Sequence, residues 1–319
     1  MNSILVTGGS GFIGSNLCDR LLNLGYKLIN IDNFNDYYAS EIKEKNIETA
    51  LKNDNYTLYR GDILDRDLVN RIFAENDIEL VIHLAAMAGV RNSLKDPLEY
   101  VDIDIKGTVN LLQVCAERGV KKFIEASSSS VYGVNSKLPF SENDSVDLQI
   151  SPYAAAKRAA ELFCSTYTRL YGMSTACLRF FTVYGPRQRP EMAIHVFTKN
   201  IDEGKPINMF GDGSSKRDYT YIDDIVDGIA SLIDKNFEFE IFNFGSSKII
   251  SLYDLIKIIE DVVGKKAIIN RMDMQKGDVP ITYADISRAK KFIGYNPRVN
   301  IRQGIEKFYD WYCGGVKNE

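Results

Sequence analysis

The chain has 319 residues, 45% of them hydrophobic and 26% charged, with a formal net charge of −4. That is ordinary globular composition, enough for one large domain or two modest ones, and mild acidity without a basic block argues against nucleic acid as a partner. No apolar run approaches the roughly 18 residues that span a bilayer, so no membrane partner is expected.

Strand and helix signals alternate from the first residues. "SILVTG" is a short apolar run ending in glycines, and "FIGSNLCDRLLNLG" has helical spacing up to Gly25. "KLINIDN", "YTLYRGDI", "IELVIHLAA" and "VKKFIEASS" read as the second to fifth strands. A helix, "SPYAAAKRAAELFCSTYTRLYG", and a sixth strand, "STACLRFFTVYG", come next. Nearly continuous apolar strands alternating with helices predict a parallel sheet covered on both faces. After Gly185 the chain becomes rich in Pro, Gly and charge. A helix near 223–234 and the strand "EIFNFG" return to the sheet, and 246–319 reads as a smaller mixed lobe.

The start "MNSILVTGGSGFIG" enters a strand without a charged leader, so no signal peptide is expected. Five cysteines (Cys18, Cys115, Cys164, Cys177 and Cys313) include no CxxC, which suits a reduced, cytoplasmic protein. Only two histidines occur, His83 and His195. A histidine-based triad and a histidine-rich metal site are both disfavoured, so no metal is expected and any general base is another residue.

"TGGSGFIG" places Gly8, Gly11 and Gly14 between the first strand and the first helix. Glycines there allow a tight turn, close backbone approach to a pyrophosphate, and packing of helix on strand. Asp32 closes the second strand, where an acid can hold both hydroxyls of an adenosine ribose and repel a 2′-phosphate. The expected cofactor is therefore NAD rather than NADP. The bland alternative is a glycine turn that binds nothing, and for Asp62 in "GDI" an exposed turn carboxylate rather than an adenine contact. The fold class is α/β: a Rossmann-type doubly wound parallel sheet with a smaller mixed α/β substrate-binding lobe. Residues 1–181 and about 219–245 are assigned to the dinucleotide-binding domain, and about 182–218 and 246–319 to the second lobe, the two being interleaved.

"YAAAK" sets Tyr153 and Lys157 four apart on a helix, on one face. A free tyrosine is a poor base at neutral pH, but an ammonium and a cationic nicotinamide nearby favour its phenolate. Ser128, at the end of the fifth strand, can hydrogen-bond the substrate oxygen that a tyrosinate deprotonates.

Glycine turn, serine-ended strand and YxxxK, in this order, resemble the extended short-chain dehydrogenase/reductase family over essentially the whole chain, and within it the nucleotide-sugar epimerases. The resemblance implies a catalytic triad of Ser128, Tyr153 and Lys157. It implies NAD contacts from Gly8, Gly11, Phe12, Ile13, Gly14, Asp32, Asn33, Asp62, Ile63, Leu84, Ala85, Ala86 and Lys157. For the nucleotide side of the UDP-sugar pocket it implies contacts from Thr182, Phe210, Arg217, Tyr219 and Asp278. It also implies a homodimer whose helices near 98–118 and 152–171 form a four-helix bundle. Two positions depart from the family: Asp104 stands where Asn is usual, and Gln275 where simple sugar epimerases tend to have Arg.

These enzymes oxidise the sugar at C4 to a bound ketose, and the surroundings decide the fate of that ketose. The family's 4,6-dehydratases carry Asp-Glu where this chain has Ser129 and Ser130, and its uronate decarboxylases carry Glu at the Ser130 position. A serine hydroxyl is suited to neither acid nor base work near neutrality, so elimination is disfavoured and epimerisation expected. "DNFNDYY", "HLAAMAGVRNS", "SSSSVYG" and "RFFTVYGPRQRPEMAIHVF" look like the members that epimerise UDP-glucuronate. A 4-ketouronate is a β-keto acid, and Arg189 can pair with its carboxylate while Ser129 and Ser130 donate to it. Bland readings stay open. Ser127, Ser129 and Ser130 can be strand-end turn residues, and Arg189 a surface or interface arginine. Arg187 reads as structural, Arg91 as a phosphate or loop-carboxylate partner, and His83 as a core histidine. The competing functions are a UDP-glucose or UDP-N-acetylglucosamine 4-epimerase and a catalytically silent dinucleotide sensor.

Overall fold

The computed structural model describes residues 3–135, 137–274 and 279–316. Its strands are β1 (Ser3–Thr7), β2 (Lys27–Asp32), β3 (Tyr56–Arg60), β4 (Ile78–His83), β5 (Lys122–Ser128), β6 (Ser174–Phe180), β7 (Thr182–Tyr184), β8 (Pro206–Phe210), β9 (Lys216–Tyr221), β10 (Phe239–Phe244), β11 (Ile249–Ser251) and β12 (Ile268–Met272). Seven form one parallel sheet in the order β10-β6-β5-β4-β1-β2-β3. The order reverses direction between β1 and β4, and in such sheets ligands bind at the carboxyl ends beside that reversal.

Successive side chains of these strands go to opposite faces. Ile4, Val6, Leu28, Leu80, Ile82, Ile124 and Leu178 join one core, with the helix Phe12–Asn23 and the helix Ile222–Ser231. Leu5, Ile29, Ile31, Val81, Phe123 and Cys177 join the other, with the helices Arg66–Glu75, Thr108–Arg118 and Pro152–Tyr171. The sheet is thus apolar on both sides, which is why its strands show no polar alternation.

The predicted sixth strand divides in two. Phe181 leaves the ladder after β6 to pack with Val131, Tyr132 and Phe140, and β7 continues in a three-stranded sheet of order β11-β9-β7. With the parallel pair β8–β12 and the helices Ala193–Asp202, Leu252–Val263, Ser287–Ile293 and Ile301–Trp311, that sheet makes the smaller lobe. Between its parts the chain returns through the helix Ile222–Ser231 to add β10 to the central sheet. Among the described residues no helix is long and apolar enough to cross a membrane.

Candidate active site

The carboxyl ends of β1, β2, β4 and β5 open into a cavity of about 820 Å³. Its floor is the glycine turn. Gly8 has φ +68°, and a Cβ there would lie 2.8 Å from the Ala85 nitrogen. A Cβ on Gly14 would lie 2.1 Å from the Gly8 carbonyl oxygen, so helix and turn touch backbone to backbone. Gly11 caps the helix Phe12–Asn23 in extended conformation with no side chain of its own. This concave, backbone-lined helix start is what a pyrophosphate requires. Asp32 faces the same space, its carboxylate accepting from Ser10 N–H at 3.1 Å and Phe34 N–H at 2.9 Å. Asp62 accepts from Asn33 Nδ2 and from Leu64 N–H, each at 2.8 Å. Every residue expected to touch the cofactor, from Gly8 to Ala86 together with Lys157, lines this one cavity.

Ser128, Tyr153 and Lys157 line it as well. Ser151 caps the helix Pro152–Tyr171 by accepting from Ala154 N–H at 3.1 Å, and Pro152 fills the first helical position. Tyr153 therefore stands on the first turn and Lys157 one turn further in. Lys157 is 3% exposed and its ammonium lies 3.5 Å from Glu125 Oε1. Burial works against that ammonium, but Asp104 and Glu125 beside it raise its pKa above the usual lysine range. Ser128 Oγ accepts from Ser130 N–H at 3.1 Å, capping the short turn Ser129–Tyr132. With that oxygen already accepting, its hydroxyl proton is available to donate.

The four serines separate. Ser127 donates to Glu161 Oε1 at 2.6 Å. Glu161 also accepts from Arg179 Nε and Nη2 at 2.8 and 2.9 Å and from Arg158 at 2.9 Å. Burial alone would raise Glu161, but Arg179, Ser127 and Arg158 hold it below the usual carboxylate range. The Arg179 guanidinium lies 4.8 Å from the Tyr132 ring centre. Ser127 thus belongs to a buried network tying β5, β6 and the helix together, although it lines the cavity with Ser129 and Ser130.

The loop after β7 carries Arg189 to the opposite wall. It is pinned from several sides. Asn16 Nδ2 donates to the Pro186 carbonyl at 3.2 Å, Arg187 pairs with Asp19 at 2.7 Å, and His195 Nδ1 donates to the Gln188 carbonyl at 2.8 Å. Arg187 adopts φ +67° there, a left-handed conformation uncommon for a side-chain-bearing residue. Arg189 Nε lies 2.9 Å from Glu191 Oε1, and its guanidinium lies 5.4 Å from the Tyr37 ring centre. Arg189, Glu191, Tyr37 and Thr182 all line the cavity.

Phe210, Arg217 and Tyr219 do not line it. Phe210 ends β8 and meets the cavity through Arg91, whose guanidinium sits 5.2 Å from its ring centre. Arg217 donates to the Lys216 and Pro280 carbonyls, and Tyr219 packs edge-on against Tyr184 at 6.3 Å. Asp278 and Gln275 lie outside the described residues. Three further wall residues were given no role from the sequence: Tyr37 and Tyr38, which end the "DNFNDYY" phrase, and Lys43, whose ammonium is 4.0 Å from Asp32. Glu125, behind Lys157, is another that the motifs miss. It does leave a signal, as a lone acid inside the apolar run "KKFIEA".

Residues 4–245 match the NAD dependent epimerase/dehydratase family, and the chain belongs to it. Among curated relatives, the chain is 45% identical over 313 residues to the UDP-glucuronate 4-epimerase of Thermodesulfobacterium geofontis, covering 98% of this chain and 96% of that protein. Among solved structures it resembles the Bacillus cereus UDP-glucuronic acid 4-epimerase in complex with UDP-glucuronic acid and NAD, with TM-score 0.93 and 39% identity over 98% of this chain and 99% of that one. It also resembles the UDP-glucose 4-epimerase of Thermotoga maritima with UDP-glucose, with TM-score 0.91 and 34% identity over 99% and 100% of the two chains.

Proposed function

We propose that the chain is an NAD-dependent 4-epimerase that interconverts UDP-glucuronate and UDP-galacturonate. The observation that carries the reading is one cavity. It holds Ser128, Tyr153 and Lys157 above the glycine turn, with Ser129, Ser130 and Arg189 around them and no acid at positions 129 and 130.

The glycine turn, Asp32 and Asp62 hold NAD, which when bound accepts hydride from the sugar C4 and returns it. Tyr153, as phenolate, takes the proton of the 4-hydroxyl, and Lys157 favours that charge across one helical turn. Ser128 donates its hydroxyl proton to the same sugar oxygen. Ser129, Ser130 and Arg189 hold the carboxylate, keeping its bond out of the orientation that releases carbon dioxide. When the ketose has turned over, Tyr153 gives the proton back to the oxygen on inverted C4. The smaller lobe, at about 182–218 and 246–319, holds the nucleotide through Phe210, Arg217, Tyr219 and Asp278.

Incubation with a panel of UDP-sugars and product NMR test this. UDP-glucuronate should yield UDP-galacturonate without net NAD consumption, and Arg189→Ala should lose uronate turnover by about 30-fold or more, the worth of a charge-assisted pair. Equal turnover of neutral UDP-hexoses would sink the carboxylate reading, and UDP-pentose as main product would sink the argument from the serines. A neutral-sugar 4-epimerase is favoured by one observation: Arg189 is already engaged by Glu191.

We also infer a homodimer and a cytoplasmic location. The helix Pro152–Tyr171 exposes Leu162, Phe163, Leu170 and Tyr171, and the segment 97–107 packed along it exposes Leu98 and Val101. That apolar face suits a second copy of the same face. All five cysteines are free thiols, which supports a reducing compartment.

A further inference from the structure

Four ionisable side chains meet in the interior beside the cavity. They are His83 from β4, Asp104 from the π-wound turn Val101–Gly107, Glu125 from β5 and Lys157 from the helix Pro152–Tyr171, none more than 3% exposed. Hydrogen bonds fix the state of His83. Thr7 Oγ1 accepts from the Leu84 and Ala85 N–H groups at 3.2 and 3.1 Å, so its hydroxyl donates to His83 Nδ1 at 2.6 Å. Thr108 Oγ1 donates to the Asp104 carbonyl at 2.6 Å and so accepts from His83 Nε2 at 3.0 Å. The imidazole is neutral with its proton on Nε2, and burial, with Lys157 nearby, pushes its pKa down to about 3. Its 3.8 Å approach to Glu125 is therefore not an ion pair.

One ammonium then faces two carboxylates. Neither Glu125 oxygen has a hydrogen-bond partner, although Lys157 Nζ lies 3.5 Å away. Asp104 Oδ1 accepts from Met87 N–H at 2.7 Å, and its Oδ2 has no partner. The other groups facing the cluster do not balance it. Glu161 is engaged by Arg179 and Arg158, Glu99 and Tyr100 face Asp104, and Tyr153 faces Lys157. A low-dielectric interior disfavours the leftover negative charge. Burial, against the pull of Lys157, pushes Glu125 up to about 7 and Asp104 up to about 6.

We propose that Asp104 and Glu125 share one proton around Lys157, and that this pair is a positioning device whose charge sets how strongly Lys157 favours the Tyr153 phenolate. The inference rests on the roles given above to Tyr153 and Lys157. With the proton held, one carboxylate balances the ammonium. When that O–H bond ionises and the proton passes to solvent, a second negative charge opposes the phenolate. Asp104 thereby offsets part of the support that Lys157 gives to negative charge on the cavity side.

The test is the pH profile of kcat for the NAD-loaded protein with UDP-glucuronate, comparing wild type with Asp104→Asn and Glu125→Gln. Asparagine keeps an acceptor for Met87 N–H and removes the charge. On the rising limb at and above about pH 7, where the wild-type pair has ionised, each variant should behave as if that limb were moved down by about one pH unit, the size of one neighbouring charge. That is about tenfold more turnover at a fixed pH on that limb, with KM within about twofold, as expected when binding is untouched. Infrared difference spectra of wild type should show a buried protonated carboxyl that ionises near neutrality and is lost in Asp104→Asn. Profiles that overlay wild type, or no such carboxyl band, overturn the proposal. Should a variant fail to fold, the wild-type band alone decides. Tyr153→Phe and Lys157→Met separate the two readings: if they keep turnover, the underlying assignment falls. If they lose it while the Asp104→Asn profile is unmoved, only the shared-proton pair falls.

Discussion

Replacing Arg179 with Met should be the most damaging single change outside the cavity. Arg179 is 1% exposed and Glu161 not at all, and the two meet in a bidentate pair at 2.8 and 2.9 Å. Methionine fills much of the volume but leaves the Glu161 carboxylate buried. Breaking a buried pair from one side costs about 3–5 kcal/mol. Arg158, its side chain 26% exposed, and Ser127 still reach Glu161, which places the electrostatic loss near the lower end. Loss of the guanidinium from the Tyr132 face adds about 1 kcal/mol, for a total of about 4 kcal/mol. Urea unfolding at pH 7 measures it. The double variant Glu161→Leu/Arg179→Met should recover most of the loss, because it removes the stranded charge. In the folded state Glu161 is held below its unfolded pKa, so the network's contribution is present above the unfolded value and fades as pH falls through the folded one. A single variant within about 1 kcal/mol of wild type, or a double variant no better than the single, would refute this account.

Gly14→Ala should abolish retention of NAD while leaving a folded protein, since its Cβ would force the turn off the helix by meeting the Gly8 oxygen at 2.1 Å. Absorbance of the purified protein and calorimetric titration with NAD check this. His83 stays neutral in the fold while the unfolded chain protonates it below about pH 6.5. Stability should therefore fall with acid from there towards pH 3, and a foldable His83→Gln variant should reduce the slope by about 1.4 kcal/mol per pH unit. A Leu162→Glu/Leu170→Glu variant should sediment as a monomer where wild type sediments as a dimer, since both residues expose more than half their surface on one helix face.

What could be read from sequence was local. The glycine turn, Asp32 and the Ser-Pro-Tyr helix start are each defined within a few residues, and each stands where its spacing implied. Ser127 could not be read, because the carboxylate it serves is 34 positions away on another element. The break at Phe181 was hidden for a similar reason: an apolar run stays apolar whether it continues one sheet or crosses to another. Asp104 stands out in the sequence only as a departure from a family habit. Its consequence needed Glu125 and Lys157, which the fold brings to it from β5 and the helix Pro152–Tyr171. Phe210, Arg217 and Tyr219 came from resemblance alone, and they are not among the residues that line the cavity.

The chain passes from the central sheet to the smaller lobe after Phe180, comes back at Ile222, and leaves again after Phe244. No single crossover with a homologous gene can therefore exchange one lobe for another. A fragment ending at residue 181 would bare the β6 edge that β10 covers and the face of the Phe12–Asn23 helix on which Ile222–Ser231 packs. Substitutions at 127–130, 189, 191 and 192, all on the cavity wall, leave that chain path untouched.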